Sequence, residues 1–240
     1  TAALYITVHA NGVVSVSDTA GTNTVVAAET IERIITGGGH DVFSFQDGAT
    51  WTGTLDGGGG TNKLDYSAYG TEVTVDLALG MAAASGAKTT IANFRDVTGG
   101  SGNDTLTGDA NANCLEGGGG DDRLDGGPGL DTLKGGAGDD VYVMDGGTDM
   151  IIEAADEGFD TLDYSGSTGG VSVRLVGYMH IENVLGGPGA DMLTGTSEDN
   201  TFYFLEEWGS DTVSDPAGTD TLDFSAVTKA MRFDFTGGTV

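Results

Sequence analysis

The sequence is short of most of what staples or drives the folding of a 240-residue chain. It has one cysteine, Cys114, so no intrachain disulfide is available, and a lone thiol in strand context reads as packing or surface. It has three prolines, and nine basic residues against 37 acidic ones, a net charge of −28. That imbalance argues against nucleic acid or an anionic membrane as partner and for bound cations. No apolar run approaches the roughly 18 residues of a transmembrane helix, which excludes insertion by helix. The opening "TAALYITVHANG" lacks the basic and apolar regions of a secretory signal. With no initial Met and an end in mid-pattern at "FDFTGGTV", the sequence reads as a piece of a longer polypeptide.

What it has in excess is glycine, 43 residues, and aspartate, and both recur with a clock. Residues 99–143 divide into "GGSGNDTLT", "GDANANCLE", "GGGGDDRLD", "GGPGLDTLK" and "GGAGDDVYV", five units of nine without a slip. Aligned on an Asp or Asn at position six and an apolar residue at position eight, further units begin at 18, 27, 36, 57, 144, 155, 177, 186, 195, 206 and 215. Position eight is then Val25, Ile34, Phe43, Leu64, Leu106, Leu115, Leu124, Leu133, Tyr142, Ile151, Leu162, Val184, Leu193, Phe202, Val213 and Leu222. A disordered linker has no reason to keep that phase, so these residues are expected to form an inward core ladder.

Each unit reads as six turn residues followed by three strand residues, one side chain inward and two outward. Glycines at positions one, two and four permit tight turns that aim carbonyl oxygens at one point, and the Asp at six adds a carboxylate. Mixed carbonyl and carboxylate oxygens in a flexible geometry suit Ca²⁺ over transition metals. Two units make one coil, so turns n and n+2 stack. Three gapless segments, "LDYSAYGTEVTVDL" (64–77), "LDYSGSTGGVSVRL" (162–175) and "LDFSAVTKAMRFDF" (222–235), read as variant coils with a four-residue outpocketing after the Asp. No stretch sustains helical periodicity; "LGMAAASGAKT" (79–89) comes nearest, and Gly80 and Gly86 break it.

The units resemble the GGxGxDxUx nonapeptide of the RTX, or haemolysin-type, calcium-binding repeat family. The resemblance is dense over 99–143, recurs at 36–65 and 186–203, and is degenerate elsewhere. It implies an all-β fold: a right-handed parallel β-roll or β-helix solenoid stabilised by several Ca²⁺ ions between same-side turns. The whole of 1–240 is expected to be one continuous solenoid, most regular over 99–152, with variant coils at 1–98 and 153–240. Carried over position by position, the metal ligands are Asp104, Asp122 and Asp140 on one edge and Asp131 and Asp149 on the other. The carbonyls of Gly100, Gly102, Gly118, Gly120, Gly127, Gly129, Gly136 and Gly138 complete the spheres, and Asp41 and Asp191 hold outlying sites. Asn62, Asn113 and Asn200 stand where the family prefers Asp and imply weaker or empty sites. Asp160, Asp211 and Asp220 lie in glycine-poor turns, of which Asp220 is kept as a candidate ligand.

No HExxH, GxSxG or EF-hand pattern occurs, and His9, His40 and His180 are far apart, so no enzyme is expected within these residues. Trp51, Trp208 and the tyrosines of "LDYSAY" are read as packing at irregular coils, with a carbohydrate patch as the alternative. The favoured function is a calcium-dependent structural or spacer region of a large secreted or surface-attached bacterial protein, an adhesin or exoprotein, folding after type I secretion. The first alternative is an accessory β-roll of a secreted protease, lipase or epimerase. The second is a glycan- or ice-binding face, which the mixed outward residues at position seven disfavour.

Overall fold

The computed structural model describes residues 2–18, 21–25, 31–145, 149–154, 157–178, 180–206 and 208–231, and through them runs a parallel β-solenoid. Position eight is the centre of a three-residue strand, buried between two more exposed neighbours, as in Arg123–Asp125 and Val141–Val143. Successive strands fall alternately on two sheets. Arg123–Asp125 pairs in parallel with Thr105–Thr107 and Val141–Val143, so Leu124 lies between Leu106 and Tyr142. Across the coil, Cys114–Gly119 pairs with Thr132–Ala137, setting Leu115 opposite Leu133. Paired strands thus stand two nonapeptides apart, the expected coil.

Beyond residue 144 the coil varies while the register of position eight holds. Tyr142 pairs with Leu162 and Leu162 with Val184, coils longer than the regular one by two and four residues. Val184 to Phe202 returns to the regular length, and Phe202 to Leu222 again adds two. Extra residues are absorbed in the turns, because shifting a strand by one would turn its apolar side chain outward. Phe43, Leu64, Leu106, Leu115, Leu124, Leu133, Tyr142, Leu162, Val184, Leu193 and Phe202 are completely buried, and Leu55, Val75, Val97 and Val173 extend the same core. Burying each such side chain stabilises the fold by about 1.5–3 kcal/mol over leaving it in water. Ile34, Ile151 and Val213 are partly buried. Leu222 is 52% exposed, on the last strand of its sheet, with no described coil stacked beyond it. Val25 belongs to a strand whose side chains lie outside the description.

The outpocketing after Leu-Asp takes the same form three times. The carboxylates of Asp65, Asp163 and Asp223 accept the N–H of Ser67, Ser165 and Ser225, and Tyr69, Ser167 and Val227 close turns on Tyr66, Tyr164 and Phe224. The later half of the third segment, from 232 on, lies outside the described residues. The aromatic residues of these coils pack inward: Tyr66 stacks on Phe45 at 4.5 Å, and Trp208 meets Phe204 and Phe224 edge-on.

Two regions depart from a purely parallel coil. Leu4–Val8, Val14–Asp18 and Gly21–Val25 form an antiparallel meander at one end of the first sheet, where the nonapeptide frame places a repeat unit from residue 18. "VSVSD" and "GTNTV" alternate with period two but lack the glycine turn between them that a coil needs. Within the second sheet, Met81–Ala84 and Ala87–Ala92 form a hairpin inserted between Val73–Asp76 and Thr54–Asp56. The glycine that breaks helical periodicity here makes the hairpin turn, with Ser85 at φ 47° and Gly86 at φ 80°, the left-handed pair of a tight two-residue loop.

Candidate metal centre

Each position-six residue ends a turn and immediately precedes a strand, so stacking the strands stacks these side chains into columns. The column before the second sheet contains Asp104, Asp122, Asp140, Asp160, Glu182, Asn200 and Asp220. It is stitched by one repeated contact, in which a side-chain oxygen accepts the backbone N–H of the equivalent residue one coil earlier; Asn200 is the exception, its Oδ1 accepting the Thr196 N–H of its own turn. The distances are 2.7 Å for Asp122 to Asp104, 2.7 Å for Asp140 to Asp122, 2.9 Å for Asp160 to Asp140 and 3.1 Å for Asp220 to Asn200. Glu182 serves Asp160 in the same way through Oε2 at 3.0 Å. Before the first sheet, Asn62 serves Asp41, Asp131 serves Asn113, and Asp149 serves Asp131. Asp211 serves Asp191 in front of the short third sheet formed by Ser172–Arg174, Met192–Thr194 and Thr212–Ser214. The two expected edges are therefore real columns. Glu182 escapes a search for Asp or Asn at position six, yet it holds that position in "GYMHIENVL".

The second carboxylate oxygen has a different fate in different turns. In Asp104 it accepts the Gly100 N–H at 2.6 Å. In Asp41, Asp122, Asp131, Asp140, Asp191 and Asp211 it is buried with no hydrogen-bond partner. An unpaired buried carboxylate oxygen costs several kcal/mol unless something answers it. None of the ion pairs among the described residues reaches a column carboxylate; they join Arg33 to Asp56, Arg123 to Asp163, Lys134 to Glu116 and Lys229 to Glu206.

The turn glycines leave space beside those oxygens. A Cβ on Gly117 or Gly135 would overlap the Oδ2 of Asp122 or Asp140, and one on Gly126 or Gly186 would lie 2.6 or 2.7 Å from that of Asp131 or Asp191. Position-one glycine is therefore required for room rather than for a left-handed backbone. At positions two and four the stacking itself demands glycine. Gly118 and Gly136 have φ of 116° and 108°, and a Cβ on Gly136 would run into the Gly118 carbonyl of the coil before. Gly118 is stacked likewise on Gly100, Gly120 on Gly102 and Gly138 on Gly120, while Gly127 and Gly129 approach Asp109 and Asn111 of their preceding coil.

The three asparagines satisfy themselves. The amide nitrogens of Asn62, Asn113 and Asn200 donate to the carbonyls of Asn93, Arg95 and Glu182 at 2.8, 3.0 and 2.8 Å. Where aspartate leaves an oxygen without a partner, asparagine turns a donor to the backbone.

Without counter-charge the columns are electrostatically strained. Burial, with Asp104 and Asp140 beside it, pushes the Asp122 carboxyl up to about 8. Burial likewise raises Asp160 to about 7 and Asp140 to about 6, and lifts Asp104, Asp131, Asp149 and Asp211 above the usual carboxylate range. The donor set is all oxygen and anionic, with a glycine beside the free oxygens of Asp122, Asp131, Asp140 and Asp191. It fits a hard divalent cation of the Ca²⁺ type.

Comparison with curated proteins finds no match. The family model described as the RTX calcium-binding nonapeptide repeat matches in four copies, over residues 96–124, 116–151 and 183–203. These spans carry six of the stacked carboxylates, Asp104, Asp122, Asp131, Asp140, Asp149 and Asp191, while Asp41, Asp160, Glu182, Asp211 and Asp220 lie outside them. Over residues 96–151 and 183–203, the nonapeptides of this β-solenoid match the RTX calcium-binding repeat.

Proposed function

We propose that the position-six columns are rows of Ca²⁺ sites and that the chain is a structural region whose folding is driven by filling them. The observation that carries this reading is the row of buried, partnerless second oxygens on Asp122, Asp131 and Asp140, each beside a glycine that leaves it space. Asp104, Asp122, Asp140 and Asp160 would hold ions along one column, and Asp131 and Asp149 along the other, with glycine carbonyls such as those of Gly118, Gly120, Gly136 and Gly138. Asp41, Asp191, Asp211 and Asp220 would hold outlying ions. Asn62, Asn113 and Asn200 interrupt the rows.

Ca²⁺ supplies counter-charge. Neighbouring coils lie about 4.8 Å apart. At an effective dielectric of about 20, two unit charges at that spacing repel by about 3 kcal/mol. A column of four carboxylates therefore opposes stacking by an amount comparable with a domain's whole stability. With Ca²⁺ at about 3 mM and site affinities on the order of 10⁻⁴ to 10⁻³ M, each filled site returns roughly 1–2 kcal/mol by mass action, besides cancelling the repulsion.

The chain, at −28, would stay expanded in a low-calcium cytosol and close outside the cell. That behaviour suits a region of a secreted or surface-attached bacterial exoprotein or adhesin exported by type I secretion. A far-UV circular dichroism titration of the chain tests it: β signal should develop cooperatively between micromolar and millimolar Ca²⁺. A full β signal in excess chelator, unchanged by Ca²⁺, would sink the reading.

A further inference from the structure

One turn breaks the glycine rule. Gly99, Gly117 and Gly135 recur once per coil at position one, and the next place in that series is Glu153. The following unit begins two residues late, and the Glu153 side chain enters the space that glycine leaves open elsewhere. One oxygen each of Asp140, Glu153 and Asp160 lie within 4.8 Å of one another. Asp140 is completely buried and Asp160 is 1% exposed. Asp140 Oδ2 and Glu153 Oε2 are both buried without a hydrogen-bond partner. Glu153 Oε1 is held by the hydroxyl of Tyr142, whose oxygen in turn accepts the Gly135 N–H at 2.6 Å. Tyr142 stands at position eight, where the regular units carry leucine, and so its phenol fixes Glu153 from within the core.

We propose that Asp140, Glu153 and Asp160 form a tricarboxylate cation site of their own, the highest-affinity site of the chain, with Tyr142 as its positioning residue. This rests on the reading of the columns as cation sites. In the regular turns two carboxylates one coil apart face each other; here a third anionic oxygen enters from the glycine place. Affinity among oxygen-ligand sites rises with the count of charged ligands, so the site takes divalent Ca²⁺ before the regular turns do, and trivalent lanthanides more strongly still. It lies where the regular coils give way to the longer ones, so the ion would also clamp the change of coil length.

Terbium ion is the probe, because the Tyr142 phenol touching Glu153 would sensitise its emission. In the whole chain, the first equivalent of terbium should give tyrosine-sensitised luminescence. Glu153→Gln should weaken that equivalent ten- to hundredfold while the remaining sites still drive β formation in millimolar Ca²⁺. Tyr142→Phe should cut the emission of the first equivalent several-fold more than it alters affinity. If Glu153→Gln does not fold, Glu153→Gly, which restores the glycine of the series, should fold in Ca²⁺ and lack the tight equivalent. Retention of that equivalent in either Glu153 variant overturns the proposal and leaves the columns standing. Failure of the wild-type chain to bind either Ca²⁺ or terbium overturns both.

Discussion

Asp122→Asn should change stability in opposite directions with and without Ca²⁺. In the absence of metal, Asp122 is a buried carboxylate with Asp104 and Asp140 as column neighbours and one oxygen unanswered. Asn113 and Asn200 indicate what asparagine does in the same turn: its amide nitrogen donates to the backbone carbonyl one coil back. The substitution removes two repulsions of about 3 kcal/mol each at a dielectric of about 20, part of which the native side chain already escapes by taking up a proton. A net gain of about 2–3 kcal/mol is expected in chelator. In Ca²⁺ the same change deletes a charged ligand shared by the ions on either side. At about tenfold in affinity for each, it costs about 3 kcal/mol. Two titrations read the two arms. In chelator, the trimethylamine N-oxide concentration that induces half of the β signal should fall, since that osmolyte favours burial without adding a cation. In millimolar Ca²⁺ the melting temperature should drop by about 6–12 °C. A loss in both conditions would mean that Asp122 acts through its hydrogen bond to Asp104 alone, and would refute the electrostatic argument.

Gly117→Ala tests the cradle without the charge: Gly117 does not need a left-handed backbone, so the added methyl meets the Asp122 carboxylate first. It should raise the Ca²⁺ midpoint of folding about tenfold, and an unchanged midpoint would show that the space is not used. Leu124→Ala removes a completely buried ladder residue and should cost about 2–5 kcal/mol in Ca²⁺, read by urea denaturation. The pH dependence has a defined sign. Asp122, Asp140 and Asp160 titrate at about 8, 6 and 7 in the metal-free fold, far above their unfolded value. The folded chain therefore binds more protons between about pH 4 and 8, and in chelator its stability falls as pH rises through that window. In Ca²⁺ protons compete with the ion and the trend should reverse. Circular dichroism at pH 5 and 8, with and without Ca²⁺, reads all four conditions.

The coil was legible in the sequence because one physical requirement, an inward apolar residue every nine positions, acts on each unit independently of its neighbours. From Phe43 to Phe202 that ladder is buried almost without exception. The column carboxylates were legible for the same reason: position six is tied to position eight by two residues of strand. What escaped lies where a different pairing partner won. Leu4–Val8 and Val14–Asp18 pair antiparallel, as do the two strands of the hairpin of 81–92, and an alternating pattern does not encode strand direction. Glu182 escaped because it is neither Asp nor Asn, and Glu153 because the two-residue insertion that follows it moves the frame. Only the folded register brings Glu153 back beside Asp140 and Asp160. The role of position-one glycine also needed the structure, since room for a carboxylate and freedom of φ are indistinguishable as a letter G.

That these acidic columns stack only with a cation between them is tested most directly by small-angle scattering of the chain at pH 7.5, which reads compaction itself. With chelator the expected radius of gyration is about 50 Å, that of an unfolded chain of this length. In millimolar Ca²⁺ it should fall to about 20 Å, slightly above a compact globule because the solenoid is elongated. A radius already at the compact value in chelator, and unmoved by Ca²⁺, would contradict the dependence on cations.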